Sequence, residues 1–301
     1  MLSLPSLINP LNITPPSLQK RARPLLGTVV EIAMCSVDEA AFMRASDAAF
    51  SRIEAIHQVM SFHEHTSDLS AIARAKKNAI FPISPDTWKT LALALDIEAR
   101  SNGIFNPTIA PELVKRGLLP APARDGENHM PPQSSLKKSI TLEENFHIHV
   151  RTPVWIDLGG IAKGYAVDAA VDALIAHEIP HGMVNAGGDL RVFGDIEQVV
   201  GVRIPHAPTT VLPIASLRNL GCATTARYYS SHVDGAIVGA RSIAAAHYDS
   251  VSVMAPSCAV ADALTKVVWL GDPHSPEIHK TLKHFKANAA LINSAGIVHR
   301  L

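Results

Sequence analysis

The residues best suited to chemistry surround a pair of glycines in the middle of the chain. Residues 154–158 are apolar and favour a strand, except for Asp157, and Gly159 and Gly160 then precede a helical pattern. The free N–H groups and the positive dipole end at a helix start attract anions. Lys163 adds a cation in the first turn. This strand–glycine–helix unit predicts a site for a phosphate-bearing ligand, alone or with a divalent metal. The alternative is an ordinary turn whose glycines only allow close packing.

A second charged pair lies on a helix predicted between Ser257 and Gly271. Asp262 and Lys266 are four residues apart and therefore share one helix face. Small and apolar residues fill the rest of this helix, which predicts burial on nearly all sides. A buried carboxylate is costly unless a metal, a ligand or a lysine pairs with it. A functional role is favoured over a solvated salt bridge.

Three polar loops contain further candidates. His232 can act as a general base or orient a phosphate, but from the residues alone a loop histidine without a role is the favoured explanation. Asn106 precedes Pro107, and an Asn-Pro turn needs no ligand to explain it. His63 and His65 lie close together but lack the helical spacing of a metal site.

Composition limits the possible classes of protein. The 301 residues include 27 Lys plus Arg and 27 Asp plus Glu, so no general nucleic-acid or anionic-membrane surface is indicated. No apolar run is long enough to span a bilayer, and prolines interrupt the apolar N-terminus, so neither a membrane span nor a signal peptide is predicted. Three cysteines without metal-ligand spacing favour a reducing, cytoplasmic location.

The order of predicted elements indicates an α+β fold with mixed or antiparallel sheets and flanking helices, because strands and helices alternate without a regular βαβ pattern. Residues 1–22 are interpreted as a disordered or extended N-terminal arm, and residues 23–301 as one large domain. Predicted strands include residues 25–34, a strand–Gly-Gly-Asp–strand unit at 182–194, and residues 220–225 before the loop with His232.

Seven segments resemble, in order, segments of the ApbE family, the FAD:protein FMN transferases. The central one, Asp-Leu-Gly-Gly-Ile-Ala-Lys-Gly-Tyr-Ala-Val-Asp, is similar to the family's Asp-Leu-Ser-Ala-Ile-Ala-Lys-Gly-Tyr-Ala-Val-Asp. The seven segments are residues 23–32, 60–70, 103–108, 157–168, 185–189, 223–234 (Ala-Thr-Thr and His-Val-Asp) and 261–264 (Ala-Asp-Ala-Leu).

The resemblance implies a specific fold and reaction. It implies a single ApbE-like, T-fold-like domain that binds FAD and a divalent metal, usually Mg²⁺. Such proteins cleave the pyrophosphate of FAD and join FMN, through a phosphoester, to a Thr or Ser of an acceptor flavoprotein. Some members instead hydrolyse FAD to FMN and AMP.

The resemblance also assigns roles to residues. Gly160 would offer a backbone carbonyl to the metal, Asp262 would be the carboxylate ligand and a catalytic residue, and His232 would act as or near the base that activates the acceptor hydroxyl. Contacts to FAD would come from His63, Asn106, Pro107, Thr108, Asp157 and Lys163.

The notable departures from the family pattern are at four positions. Lys266 stands at the position of the usual Thr metal ligand, Asn106 replaces an Asp, and His63 replaces a Tyr. Leu26 stands where the family usually has Met. A lysine ammonium beside Asp262 would alter or abolish the use of Mg²⁺. The hypotheses are therefore an FMN transferase first, then an FAD pyrophosphatase, and then a non-catalytic FAD-binding protein.

Overall fold

The computed structural model describes residues 18–35, 38–122, 130–204, 207–226, 244 and 247–301. A short 3₁₀ helix, Pro107–Ile109, lies between the third and fourth α-helices. The α-helices of the described residues are α1 (Glu39–Met60), α2 (Asp68–Arg74), α3 (Pro85–Arg100), α4 (Ala110–Lys115), α5 (Leu136–Ser139), α6 (Ala162–Ala176), α7 (Cys258–Leu270) and α8 (Pro276–His284). No described helix is both long and apolar enough to cross a membrane.

The strands form three antiparallel groups. They are β1 (Gln19–Leu25), β2 (Thr28–Met34), β3 (Ala79–Pro82), β4 (Ile140–Glu143), β5 (His147–Val150), β6 (Gly182–Ala186), β7 (Asp189–Phe193), β8 (Gln198–Ile204), β9 (Ala207–Leu217), β10 (Gly221–Ala226), β11 (Ser250–Ala255), β12 (Asn288–Ile292) and β13 (Val298–Arg300). The main sheet has the order β1-β2-β6-β7-β10-β11-β12-β13, β3-β5-β4 form a small sheet, and β8-β9 form a hairpin. The predicted α+β fold with antiparallel sheets is confirmed.

Both faces of the main sheet are covered. Side chains alternate along a strand, so in β11 Val251 and Val253 face the large core beneath α1, α6 and α7, whereas Met254 faces a second core. The β8-β9 hairpin closes this second core with Val200, Val202 and other apolar residues. The helices therefore occupy one side of the sheet and the hairpin occupies the other.

The helix predicted from Ser257 is confirmed with its cap. The Ser257 side chain accepts from the Val260 N–H, and the helix ends at Gly271. The strand–Gly-Gly-Asp–strand unit is also confirmed as β6 and β7. Gly187 and Gly188 make the turn between them with φ of 64° and 104°, a region that glycine adopts without strain.

Two strand predictions need correction. Residues 25–34 were expected to form one strand, but Leu26 and Gly27, with φ of 55° and 70°, turn the chain between β1 and β2. Residues 154–158 are mostly buried, have no regular secondary structure and join none of the described sheets. Trp155 packs there in a small separate cluster with Phe62 and Ala110, so burial by loops and helices replaces strand pairing.

The predicted N-terminal arm is described only from residue 18 onward. Its last residues belong to β1, which pairs with β2 at the edge of the main sheet. The domain boundary at residue 23 stays a prediction.

Candidate functional site

The site forms where α6 and α7 cross. A Cβ atom on Gly164 of α6 would lie 2.4 Å from the carbonyl oxygen of Cys258 in the first turn of α7, so only glycine allows this approach. Asp168, one turn further along α6, accepts from the N–H groups of Cys258 at 2.8 Å and Ala259 at 2.9 Å. Arg191 donates to the same carboxylate at 3.1 Å. The start of α7 is thereby fixed against α6.

Two buried ion pairs lie at this crossing. Lys266 donates to Asp262 within α7, and Lys163 of α6 donates to Asp189, the first residue of β7. Asp262 is fully buried, and its second oxygen accepts from the Gly164 N–H at 3.1 Å. Both lysines reach the surface, with 37% of the Lys163 side chain and 19% of the Lys266 side chain exposed. Two lysines and two aspartates from α6, β7 and α7 thus form one cluster of two ion pairs.

Neighbouring charges control ionisation in this cluster. Burial opposes ionisation of Asp262, but the ammonium groups of Lys266 and Lys163 outweigh it and lower the pKa of Asp262. Burial likewise disfavours the charged form of Lys163, but the carboxylates of Asp189 and Asp262 raise the pKa of Lys163. Both groups are therefore charged at neutral pH.

The glycine turn faces the cluster. The N–H groups of Ile161 and Ala162 donate to the Leu158 carbonyl at 2.9 and 2.8 Å. Within the described residues, the N–H groups of Gly160 and Lys163 donate to no acceptor. A Cβ atom on Gly160 would lie 3.6 Å from Cε of Lys266, so this turn adjoins the lysine stem. The predicted anion site therefore has two available N–H groups beside the two ammonium groups.

Asp157 connects this turn to two of the predicted loops. Its carboxylate accepts from the Gly159 N–H at 3.1 Å, and its own N–H donates to the Pro107 carbonyl at 2.9 Å. Burial raises the pKa of Asp157, opposed by the Gly159 N–H and the nearby charges of His63 and Lys266. The exposed His63 therefore lies on the Asp157 side of the site.

The Asn106 side chain stabilises its own loop. Its oxygen accepts from the N–H and the hydroxyl of Thr108, both at 2.9 Å, and its amide donates to the Ser134 carbonyl at 2.8 Å. A carboxylate cannot donate this last bond, which gives a physical reason for Asn at this position. The predicted contact of Asn106 with FAD stays a prediction.

His232 lies outside the described residues. Strand β10, which precedes it, ends at Ala226 against α7, where the Thr225 hydroxyl lies 2.9 Å from the Thr265 hydroxyl. Thr265 in turn donates to the Asp262 carbonyl at 2.7 Å. The role of His232 as a base stays a prediction.

The hydrogen-bond donors around Asp262 leave an environment that does not suit a divalent cation. Gly160, Asp262 and Lys266 come together as predicted, but the Lys266 ammonium and the Gly164 N–H engage the two carboxylate oxygens. No group of three or more His, Cys, Asp or Glu side chains in the described part of the chain could hold a metal ion. Mg²⁺ prefers six oxygen ligands in octahedral geometry. The positive charge at this carboxylate is instead supplied by lysine.

Sequence reasoning missed two buried acids. Asp168 and Asp189 both stood within the recognised segments, but neither received a role. Asp189 follows two turn glycines at the start of a strand, a position at which a buried acid signals a partner. The partner, Lys163, is 26 residues away and was visible only in the fold.

A surface groove of about 740 Å³ lies between the β1-β2 turn and α1, lined by Leu25, Thr28 and His57 among others. A Cβ atom on Gly187 would lie 2.5 Å from the Thr28 hydroxyl. The groove therefore borders the β6-β7 turn, but none of the residues that line it belongs to the charged cluster.

Several known proteins are similar to this chain. The FAD:protein FMN transferase of Treponema pallidum is 26% identical over 295 residues, covering 83% of this chain and 78% of that protein. The FAD:protein FMN transferase of Haemophilus influenzae is 27% identical over 271 residues, covering 80% of this chain and 78% of that protein. The crystal structure of the ApbE protein from Thermotoga maritima shares the fold, with a TM-score of 0.75 and 24% identity. The match covers 94% of this chain and 96% of that chain.

The family comparison covers most of the described domain. The model of the ApbE family matches residues 26–290, which include the crossing of α6 and α7, the glycine turn and all four charged residues of the cluster. This chain belongs to the ApbE family.

Proposed function

We propose that this protein transfers FMN from FAD to the hydroxyl of a Thr or Ser in an acceptor protein. The main observation behind this proposal is that the Gly160 turn, Lys163 and the helix of Asp262 meet in one cluster of charged residues. Membership of the ApbE family and relatives named FAD:protein FMN transferase support this activity.

The reaction makes and breaks one phosphorus–oxygen bond. The acceptor hydroxyl oxygen bonds to the phosphorus of the FMN half, the bond to the bridging oxygen breaks, and AMP leaves with that oxygen and its electron pair. The hydroxyl proton passes to a base, a role proposed for His232. Catalysis of phosphoryl transfer depends mainly on positioning and charge stabilisation.

The chain itself provides donors for the phosphates. Lys163 and Lys266 extend from a buried cluster to the surface, and the N–H groups of Gly160 and Lys163 are available at the start of α6. Asp189 and Asp262 hold the two ammonium groups in place. We propose that the loop of Asn106, Pro107 and Thr108, together with Asp157 and His63, contacts the rest of FAD.

The test couples acceptor labelling to AMP release. The full chain is incubated with FAD and a lysate of its source cells, and labelled acceptors are detected as flavin-fluorescent bands on denaturing gels. We expect a fluorescent band together with AMP, both abolished in Lys163→Met and retained in the control Lys280→Met, an exposed lysine of α8. AMP without any labelled protein would identify an FAD pyrophosphatase, and absence of both products would contradict the proposal.

A non-catalytic FAD-binding role is the second candidate because the Lys266–Asp262 pair occupies the metal position implied by the resemblance. FAD that stays intact after long incubation, with or without MgCl₂, would favour this role. The use of Mg²⁺ and the cytoplasmic location stay predictions. The Lys266 ammonium and the Gly164 N–H, which donate to Asp262, argue against the use of Mg²⁺.

A further inference from the structure

We infer that Lys266 is a built-in cation that replaces a divalent metal at Asp262, so that this protein binds the pyrophosphate of FAD without one. The inference deepens the proposed function and rests on it. Its basis is the arrangement of the groups around the buried Asp262 carboxylate.

The first observation is that both oxygens of the carboxylate already accept hydrogen bonds within the protein. One oxygen accepts from the Lys266 ammonium and the other from the Gly164 N–H at 3.1 Å. Asp262 is fully buried, so a cation would reach it only by displacing the ammonium. A displaced ammonium would stay close to the incoming metal and repel it, because both are positively charged.

The second observation is that the Lys266 side chain passes directly over the glycine turn. Cε and Cγ of Lys266 lie 3.6 and 3.7 Å from the position of a Cβ atom on Gly160. The ammonium therefore lies close to both the buried carboxylate and the turn whose N–H groups are available. An ammonium has three N–H donors, and Asp262 accepts from one of them, which leaves donors for a phosphate oxygen.

The third observation is the charge balance. Lys163 pairs with Asp189, and Lys266 pairs with Asp262, before any ligand binds. With an uncharged residue at 266, the Asp262 carboxylate would lose its paired cation and would repel a diphosphate. Lysine removes this repulsion, which a bound metal would otherwise have to remove.

Isothermal titration of the full chain with FAD tests this inference, once in EDTA and once in MgCl₂. We expect the Kd of the unmodified protein to differ by less than about twofold between the two buffers. Lys266→Thr is expected to bind FAD about tenfold more weakly in EDTA, the equivalent of one charged hydrogen bond, and to recover affinity in MgCl₂. Titration with MgCl₂ alone should give binding heat only for Lys266→Thr.

Two controls separate charge from structure. Lys280→Thr removes an exposed helical lysine and should leave FAD affinity unchanged in both buffers. Lys266→Met keeps the stem without the charge or an oxygen ligand, so it should bind weakly in EDTA and recover less in MgCl₂ than Lys266→Thr.

The outcomes distinguish this inference from the proposed function. Unmodified protein that binds FAD only in MgCl₂ overturns the inference alone, as does Lys266→Thr that binds normally in EDTA. Unmodified protein that binds no FAD in either buffer overturns both. The comparison of buffers with the unmodified protein holds even if a variant fails to fold.

Discussion

Asp168→Ala is expected to be one of the most damaging single substitutions in the chain. The carboxylate accepts from two N–H groups at the start of α7 and pairs with Arg191. Only 12% of its side chain is exposed, so water cannot readily replace it. A buried donor without a partner costs about 1–3 kcal/mol, and breaking a buried ion pair costs about 3–5 kcal/mol. We expect a loss of about 3–5 kcal/mol from a stability of about 5–15 kcal/mol.

Urea unfolding of the full chain measures this loss. Asp172→Ala is the matched control, because Asp172 lies one turn further on α6 and approaches the same Arg191 at 3.7 Å, but 72% of its side chain is exposed. Its removal should cost no more than about 1 kcal/mol. Asp168→Asn keeps one acceptor oxygen and should fall between the two. Equal, small losses for the two alanine variants would refute the role of Asp168 in fixing α7.

Two further predictions concern other parts of the same core. Gly164→Ala should destabilise the protein by about 1–3 kcal/mol and weaken FAD binding, because its Cβ would lie 2.4 Å from the Cys258 carbonyl oxygen and push α6 from α7; unchanged melting temperature and affinity would contradict this. Asp86→Asn should cost about 1–2 kcal/mol at pH 7. Burial opposes ionisation of Asp86, but Arg52 and Tyr165 outweigh it and lower the pKa, so this stability is present above about pH 4 and is lost as pH falls through the folded pKa. Urea unfolding at several pH values should show the two proteins converging in acid, and a constant difference would contradict the assignment.

Local signals in the sequence were sufficient to predict the helix and the turn that position the site residues. A serine cap and a terminal glycine defined the helix of Asp262, and two glycines before an acid defined the β6-β7 turn. These features depend on neighbouring residues alone, so they can be read without the fold. The structure also brings the Gly160 turn, Lys163 and Asp262 together, whereas the roles assigned to these residues stay predictions.

Contacts between residues far apart in the chain could not be predicted from such local signals. Residues 154–158 have the composition of a strand, but strand formation also requires a pairing partner, and this segment packs among loops and helices instead. The pairing of Lys163 with Asp189, and the capping of α7 by Asp168, depend on how β7 and α6 pack. Such contacts depend on how the helices and strands are arranged in space, and a single sequence does not reveal that arrangement.

The contact between Gly164 and Asp262 joins residues 98 positions apart in the chain. During synthesis, the ribosome therefore releases the glycine turn long before the helix that completes the cluster. Contacts of such separation form late, since a long loop must first be closed. Flavin capture is consequently expected to follow translation of α7, and nascent chains that stop before residue 258 should not retain FAD.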